Sequence, residues 1–352
     1  MPAATTDPTP NDPRRSQLVS WLHHLDPQLL LRPATLRPAS SDASFRRYFR
    51  VDIGDPGQGS LIVMDAPPER ENVATFVEVG QLFASAGVSV PAVLGADFGQ
   101  GFLLLSDLGA STYLSALTAD TADALYRDAL RALVQIQMLP DRDRLPRYEQ
   151  PVLRRELMLF PEWYLARHLG HAPSESEQQM LEATFRVLEA RALAQVQVAV
   201  HRDFHSRNLM VLEAGAARGN PGILDFQDAV VGPITYDLVS LLRDAYVVWD
   251  EERVLDWCVR YWELARRAGL PMPTDFGEFW RDFEWMGLQR HLKVLGIFAR
   301  LYHRDSKDNY LKDLPAVLGY TRTVAARYRE FLPLLRLLDR LQARAPQVGY
   351  TF

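Results

Sequence analysis

The chain has 352 residues, 47% of them hydrophobic and 24% charged, with a formal net charge of -5. These proportions allow one large domain or two modest ones, and the acidic balance argues against a nucleic-acid-binding surface. The single cysteine, Cys258, excludes an internal disulfide and most cysteine-based zinc sites, and no apolar run approaches the ~20 residues of a membrane span. A soluble cytoplasmic protein without nucleic-acid or membrane partners is expected.

Residues 1–15 are rich in Pro, Thr and Asp, lack an apolar signal core, and are expected to form a disordered tail. From residue 43 to 105 the pattern is short strands with one helix. Residues 45–53 alternate, placing Phe45, Arg47, Phe49, Val51 and Ile53 on one face. A turn at 55–59 leads into a second strand at 60–64. Asn72 suits the cap of a helix carrying Phe76, Val79, Leu82 and Phe83 on one stripe and ending near Gly87. Residues 101–105 read as a buried strand. The polar break at 106–109, with Ser106 and Asp107, is the expected hinge between a nucleotide-binding lobe (16–105) and a catalytic and sugar-binding lobe (110–352). Helical periodicity then runs through 121–139, 151–169, 175–195, 251–268 and 276–303, with one β-rich interruption at about 196–234. The predicted fold is α+β and two-lobed, small and β-rich first, larger and helical second.

That interruption holds His201-Arg-Asp203, then Asn208 five residues after the Asp, and returns through a turn to Asp225-Phe226. The pattern H-R-D-x-x-x-x-N followed by a short hairpin and Asp-Phe supplies what phosphoryl transfer needs. Asp203 is the expected catalytic carboxylate, orienting the acceptor hydroxyl and taking its proton. Asn208 and Asp225 are the expected Mg2+ ligands, as hard oxygen donors. Arg202 and Asp228 read as residues that cap strands and turns.

A nucleotide lobe ordinarily carries a lysine on its third strand, but here the strand at 62–65 has none, and the first lysine of the chain is Lys293. Arg47 is the expected substitute at the phosphates, steadied by Glu78, against the alternative of a strand-end arginine reaching solvent. Ser41, Ala43 and Ser44 stand where a glycine-rich loop would approach the phosphates.

The segment from His201 to Asn208 resembles the catalytic loop of the aminoglycoside phosphotransferase and choline kinase group, where H-x-D-x-H-x-x-N is common. In that group the histidine at the place of His205 points to a small-molecule acceptor rather than a protein; His205, Ser106 and Asp107 are expected among the ATP contacts. The resemblance also extends to the G-x-P-x-x-x-D-L run ending at Asp237 and Leu238, where the Asp buttresses the catalytic loop. Taken with residues 41–50, 64–68, 154–164, 224–228 and 289–300, the chain resembles the bacterial N-acetylmuramate/N-acetylglucosamine anomeric kinase family over about residues 16–335. In that family the Met-Asp-Ala-Pro strand also lacks lysine.

The resemblance implies ATP- and Mg2+-dependent phosphorylation of the C1 hydroxyl of both amino sugars in cell-wall recycling, with a uridylyltransferase consuming the product. Such an acceptor calls for a cation, an aromatic surface and hydrogen-bonding groups. Glu156, Trp163 and Tyr164 on one helix and Arg290, His291 and Arg300 on another, with Lys293 and His303 nearby, are the expected sugar contacts. The competing readings are another small-molecule kinase of the same fold, whose cationic acceptor would want clustered acids, and a non-catalytic nucleotide-binding module, which would bind Mg-ATP without turnover.

Overall fold

The computed structural model describes residues 12–40, 45–213 and 218–344, and they form two compact units. The first comprises residues up to Leu82 together with Val90–Gly109; the second comprises Phe83–Ser89 and everything from Ala110 onward.

The first unit opens with α1 (Pro13–His23), so residues 13–15 are helix rather than tail. Asp12 caps it, accepting from the Arg14 and Arg15 amides at 3.1 and 3.3 Å, and Pro13 fits the first turn, where no amide donor is needed. Strands β1 (Leu31–Ser40), β2 (Arg47–Ile53) and β3 (Ser60–Asp65) follow, then α2 (Val73–Ser85), β4 (Val93–Asp97) and β5 (Phe102–Ser106). They make one antiparallel sheet in the order β1-β2-β3-β5-β4. Phe49 and Val51 of β2, Leu61 and Val63 of β3, and Phe102 and Leu104 of β5 pack against Leu18 and Leu22 of α1. Each such burial contributes about 1.5–3 kcal/mol. Phe45 lies outside this face: it precedes β2, is exposed, and carries the Arg70 guanidinium over its ring at 4.4 Å. Asn72 caps α2 as expected, through the Ala74 amide at 3.0 Å.

In the second unit, α3 (Tyr113–Ala116), α4 (Ala122–Gln137), α5 (Gln150–Leu157) and α6 (Glu175–Ala194) precede the β-rich interruption. There β6 (Gln197–Val200) pairs with β9 (Val230–Pro233), and β7 (Leu209–Met210) with β8 (Gly222–Ile223). Helices α7 (Tyr236–Leu242), α8 (Glu251–Arg267), α9 (Phe276–Asp305), α10 (Leu314–Arg327) and α11 (Leu332–Arg344) complete it. Between α5 and α6, Phe160–His168 winds as a π-helix.

The core is built around α9. Leu288, Leu292 and Leu295 pack with Phe160 and Leu165, with Phe185 and Leu188 of α6, and with Val317, Leu334 and Leu337. Gly296 sits where any side chain would collide: a β-carbon there would lie 2.4 Å from the Leu159 carbonyl carbon.

Candidate active site

The β6–β9 and β7–β8 pairs bring residues 201–208 and 225–228 to one place. The buried carboxylate of Asp237, at the start of α7, accepts from the His201 amide at 2.6 Å and the Arg202 amide at 2.9 Å. This holds Arg202 at a φ of +78°, a region that side chains rarely occupy. Burial pushes the Asp237 carboxyl up to about 7, even though both amides favour its charge. Asp237 is thus the buttress of the loop.

His201 ties the loop to the returning strand. Its Nδ1 accepts the Asp203 amide at 3.1 Å, so Nε2 carries the proton donated to the Leu224 carbonyl at 2.9 Å. Burial lowers its pKa to about 4, which keeps that tautomer neutral. Asp244 holds the other side of the loop: one oxygen accepts the Ser206 amide at 3.0 Å and its hydroxyl at 2.5 Å, and the other accepts the Tyr246 amide.

Asn208 Nδ2 donates to the Asp203 carbonyl at 3.0 Å and faces Asp225 Oδ2 at 3.4 Å. Gln227 Nε2 donates to Asp225 Oδ1 at 2.9 Å, and Asp225 itself has a φ of +62°. Two non-glycine residues in the left-handed region, Arg202 and Asp225, each cost about 1–3 kcal/mol, strain of the kind that collects at reactive sites. Burial raises the Asp203 carboxyl, but Lys293 and Arg290 outweigh it and hold the group ionised.

Asp203 and His205 open on a cavity of about 430 Å3 within the second unit. Glu156, Arg290, His291 and Arg300, expected above as sugar contacts, also line it. Their roles differ. Glu156 is the centre of a buried network: it takes Arg202 Nη2 at 2.5 Å, Lys293 Nζ at 3.0 Å and the Tyr148 hydroxyl. Burial raises the Glu156 carboxyl, and Lys293 and Arg202 bring it below its ordinary value. Arg290 donates to the Arg202 carbonyl and the Tyr236 hydroxyl. His291 is stacked on Tyr320 and bonded to the Arg243 carbonyl, with burial lowering its pKa to about 3. Arg300 Nε is buried without a hydrogen-bond partner among the described residues, and so is His205 Nδ1.

Trp163 and Tyr164 are not among the cavity-lining residues. Tyr164 is buried in the core, stacked on Phe160, and Trp163 packs against the same cluster. Phe160, at the same helical spacing from Glu156, is buried in that cluster too, so this stripe of aromatic side chains serves the core.

In the first unit, Ser41, Ala43 and Ser44 lie outside the described residues. Arg47 falls on the expected face, but that face is the one covered by α1. Its Nε donates to the fully buried Asp65 at 2.9 Å, and another nitrogen pairs with Asp12; these, and not Glu78, hold it. Arg14 binds the second Asp65 oxygen at 2.9 Å. Ser106 Oγ accepts the Ala92 amide, and Asp107 takes Arg50, Ser60 and the Gly109 amide. Both side chains are therefore engaged within the sheet's own framework.

Sequence reasoning read Arg202 as a simple cap and gave no role to Asp244 or Tyr246. The doublet Arg202-Asp203 was visible, but nothing local announces that residues about 40 positions later close around it.

A carboxylate beside an amide and a second carboxylate, on a strained loop held from behind, is the apparatus of phosphoryl transfer. The family model described as "Phosphotransferase enzyme family" matches residues 35–270, and the chain belongs to that family, whose phosphoryl donor is ATP. Its relatives narrow the class. A Neisseria meningitidis protein named N-acetylmuramate/N-acetylglucosamine kinase is 47% identical over 96% of this chain and 99% of its own length. Proteins of the same name from Pseudomonas aeruginosa and Caulobacter vibrioides are 50% and 31% identical, over 94% and 79% of this chain and 98% and 84% of theirs. In fold it is similar to a Plasmodium vivax ethanolamine kinase (TM-score 0.62, 9% identity, 92% of this chain, 89% of that one). An ADP-bound aminoglycoside phosphotransferase gives a TM-score of 0.55 at 15% identity, over 86% of this chain and 97% of that one. None of the described helices is long and apolar enough to cross a membrane.

Proposed function

We propose that this chain transfers the γ-phosphoryl group of ATP to the anomeric hydroxyl of N-acetylmuramate and N-acetylglucosamine. The sugar 1-phosphates would pass to a uridylyltransferase in the recycling of cell-wall sugars. The acceptor identity is supported by the names of the relatives, and the C1 position and the pathway by family resemblance. The observation that carries the reading is Asp203, beside Asn208 and Asp225, opening on a cavity rich in arginine.

Asp203 orients the C1 hydroxyl and takes its proton as the sugar oxygen bonds to the γ-phosphorus and the bond to the ADP oxygen breaks. An anomeric hydroxyl is more acidic than an ordinary alcohol, so an ionised carboxylate of low basicity is adequate, and orientation is the larger contribution. The Asp225 carboxylate and the Asn208 amide oxygen suit Mg2+, whose contribution when bound is to neutralise charge on the phosphates. Arg155, Arg300 and Arg290 along the cavity favour an anionic or neutral acceptor over a cationic aminoglycoside or choline.

The test is incubation with Mg-ATP and each sugar, followed by phosphorus-31 NMR. A phosphate resonance coupled to the anomeric proton, absent with Asp203→Asn, is the expected result. ADP release without sugar phosphate would refute the acceptor, and Mg-ATP binding without any turnover would favour the non-catalytic module.

A further inference from the structure

The cavity's cations are unequally provided for. Arg202 and Lys293 share Glu156, and Arg243 faces Glu284 at 3.1 Å. Arg290 is used on a carbonyl and a tyrosine hydroxyl beside the catalytic loop. Arg202 and Arg243 each leave one buried nitrogen unpartnered but hold a carboxylate with another, and Arg155 is exposed; Arg300 differs in that its buried Nε has no partner and the residue makes no ion pair among the described residues. Burial and the neighbouring Arg304 hold its pKa below the ordinary arginine value, and the opposing pull of Asp305 and Glu162 does not make up the difference.

Its place along α9 says what it serves. Arg290, Lys293, Val294, Ile297, Arg300 and Leu301 line the cavity at helical spacing. Ten residues separate Arg290 from Arg300, which at 1.5 Å per residue is about 15 Å of helix axis. Arg290 marks the catalytic end, where the reacting phosphate must lie against Asp203. Arg300 marks the opposite end, past the apolar stretch of Val294 and Ile297. An anion met there belongs to the part of the acceptor remote from the reacting hydroxyl.

We propose that Arg300 is the specificity residue for an acceptor carboxylate, taking the lactyl group of N-acetylmuramate while the C1 hydroxyl is held at Asp203. This rests on the amino-sugar reading above and deepens it. N-Acetylglucosamine is the same ring without the lactyl arm, so it binds without using Arg300. The two sugars therefore separate Arg300's contribution from that of the rest of the cavity.

The experiment is steady-state kinetics of the full-length wild type and Arg300→Met on both sugars, with Arg300→Lys as conservative rescue and the exposed Arg304→Ala as control. Loss of a charge-assisted hydrogen bond predicts a fall of roughly tenfold to a hundredfold in kcat/KM for N-acetylmuramate, mostly in KM. N-Acetylglucosamine should stay within about twofold, and Arg300→Lys should recover part of the loss. The carboxamide of N-acetylmuramate should be poor with the wild type and no poorer with Arg300→Met, a comparison in which the native protein reports on the same contact.

Equal falls on both sugars would overturn the assignment in favour of a structural role. A raised KM for ATP with either sugar would overturn it in favour of a phosphate contact, and an unchanged ratio would overturn it outright. These outcomes leave the kinase reading standing, whereas wild-type failure on both sugars would remove that reading itself.

Discussion

The two units handle charge in opposite ways. In the first, Asp65 is fully buried between Arg14 and Arg47, and Asp107 is matched to Arg50. Among its described residues, Arg15 Nε is the buried side-chain atom left without a partner. Among the described residues of the second, eleven such atoms occur, and five of them, Arg202 Nε, His205 Nδ1, Arg243 Nη1, His291 Nδ1 and Arg300 Nε, belong to residues that line the cavity. Polar atoms satisfied by one another build a scaffold, whereas a cluster of unpartnered ones at a cavity is where the polar groups of a ligand would find partners.

The largest expected effect tests the second unit's chemistry. Asp203→Asn should lower kcat by about 10^2–10^4-fold with little change in thermal midpoint, measured by coupled ADP assay and calorimetry. A comparable fall in stability would place Asp203 among the scaffold charges instead.

Next is the network behind the cavity. Glu156→Leu leaves Arg202 and Lys293 without their shared carboxylate, and about 3–5 kcal/mol of stability should be lost in denaturant titration. Adding Lys293→Met should restore part of it, because one uncompensated charge goes too. Equal losses in the single and double variants would mean that packing, not charge, is at stake.

A smaller effect depends on pH. His291 is held at about 3, first by burial and then by Arg243, against 6.5 for an ordinary histidine. A depressed pKa means that the unfolded chain binds the proton more readily. Its contribution to stability is therefore complete above 6.5 and lost as pH falls toward 3, at up to about 1.4 kcal/mol per pH unit. Thermal midpoints between pH 7.5 and 5 should fall less steeply in His291→Gln than in the wild type, and parallel slopes would refute it.

The smallest effect concerns Arg47. Arg47→Ala leaves the buried Asp65 to Arg14, and because Arg14 still pairs with it and Arg47 is partly exposed, a loss of only about 1 kcal/mol is expected. KM for ATP should stay within twofold. A large rise in that KM would return Arg47 to the phosphates and break the contrast between the units.

The residues legible in the sequence were those whose partners are local or whose pattern is periodic. The strands at 47–53 and 60–65, the helix capped by Asn72 and the loop from His201 to Asn208 all declare themselves within ten or so positions. Strand β1 does not, because Pro33 and Pro38 disguise it; it lies at the edge of the sheet, where proline is tolerated. Helices α10 and α11 went unread as well, beyond the last segment whose period was followed. Arg47 was placed on the right face, yet which face α1 would cover is a tertiary fact. Trp163 and Tyr164 pack against the core cluster, because an aromatic stripe at helical spacing reads the same in sequence whether it faces a core or a cavity. Arg202 and Asp244 acquire their roles only when distant segments meet.

Gly296 has a further consequence. It stands on α9 between Val294 and Ile297, which line the cavity, and the backbone it touches is that of Leu159, another lining residue. The approach of α9 to the backbone at Leu159 is thus set by a single hydrogen atom. A methyl group at this position would act as a shim, prising α9 from its neighbour and retuning which sugars fit without altering any residue that touches them.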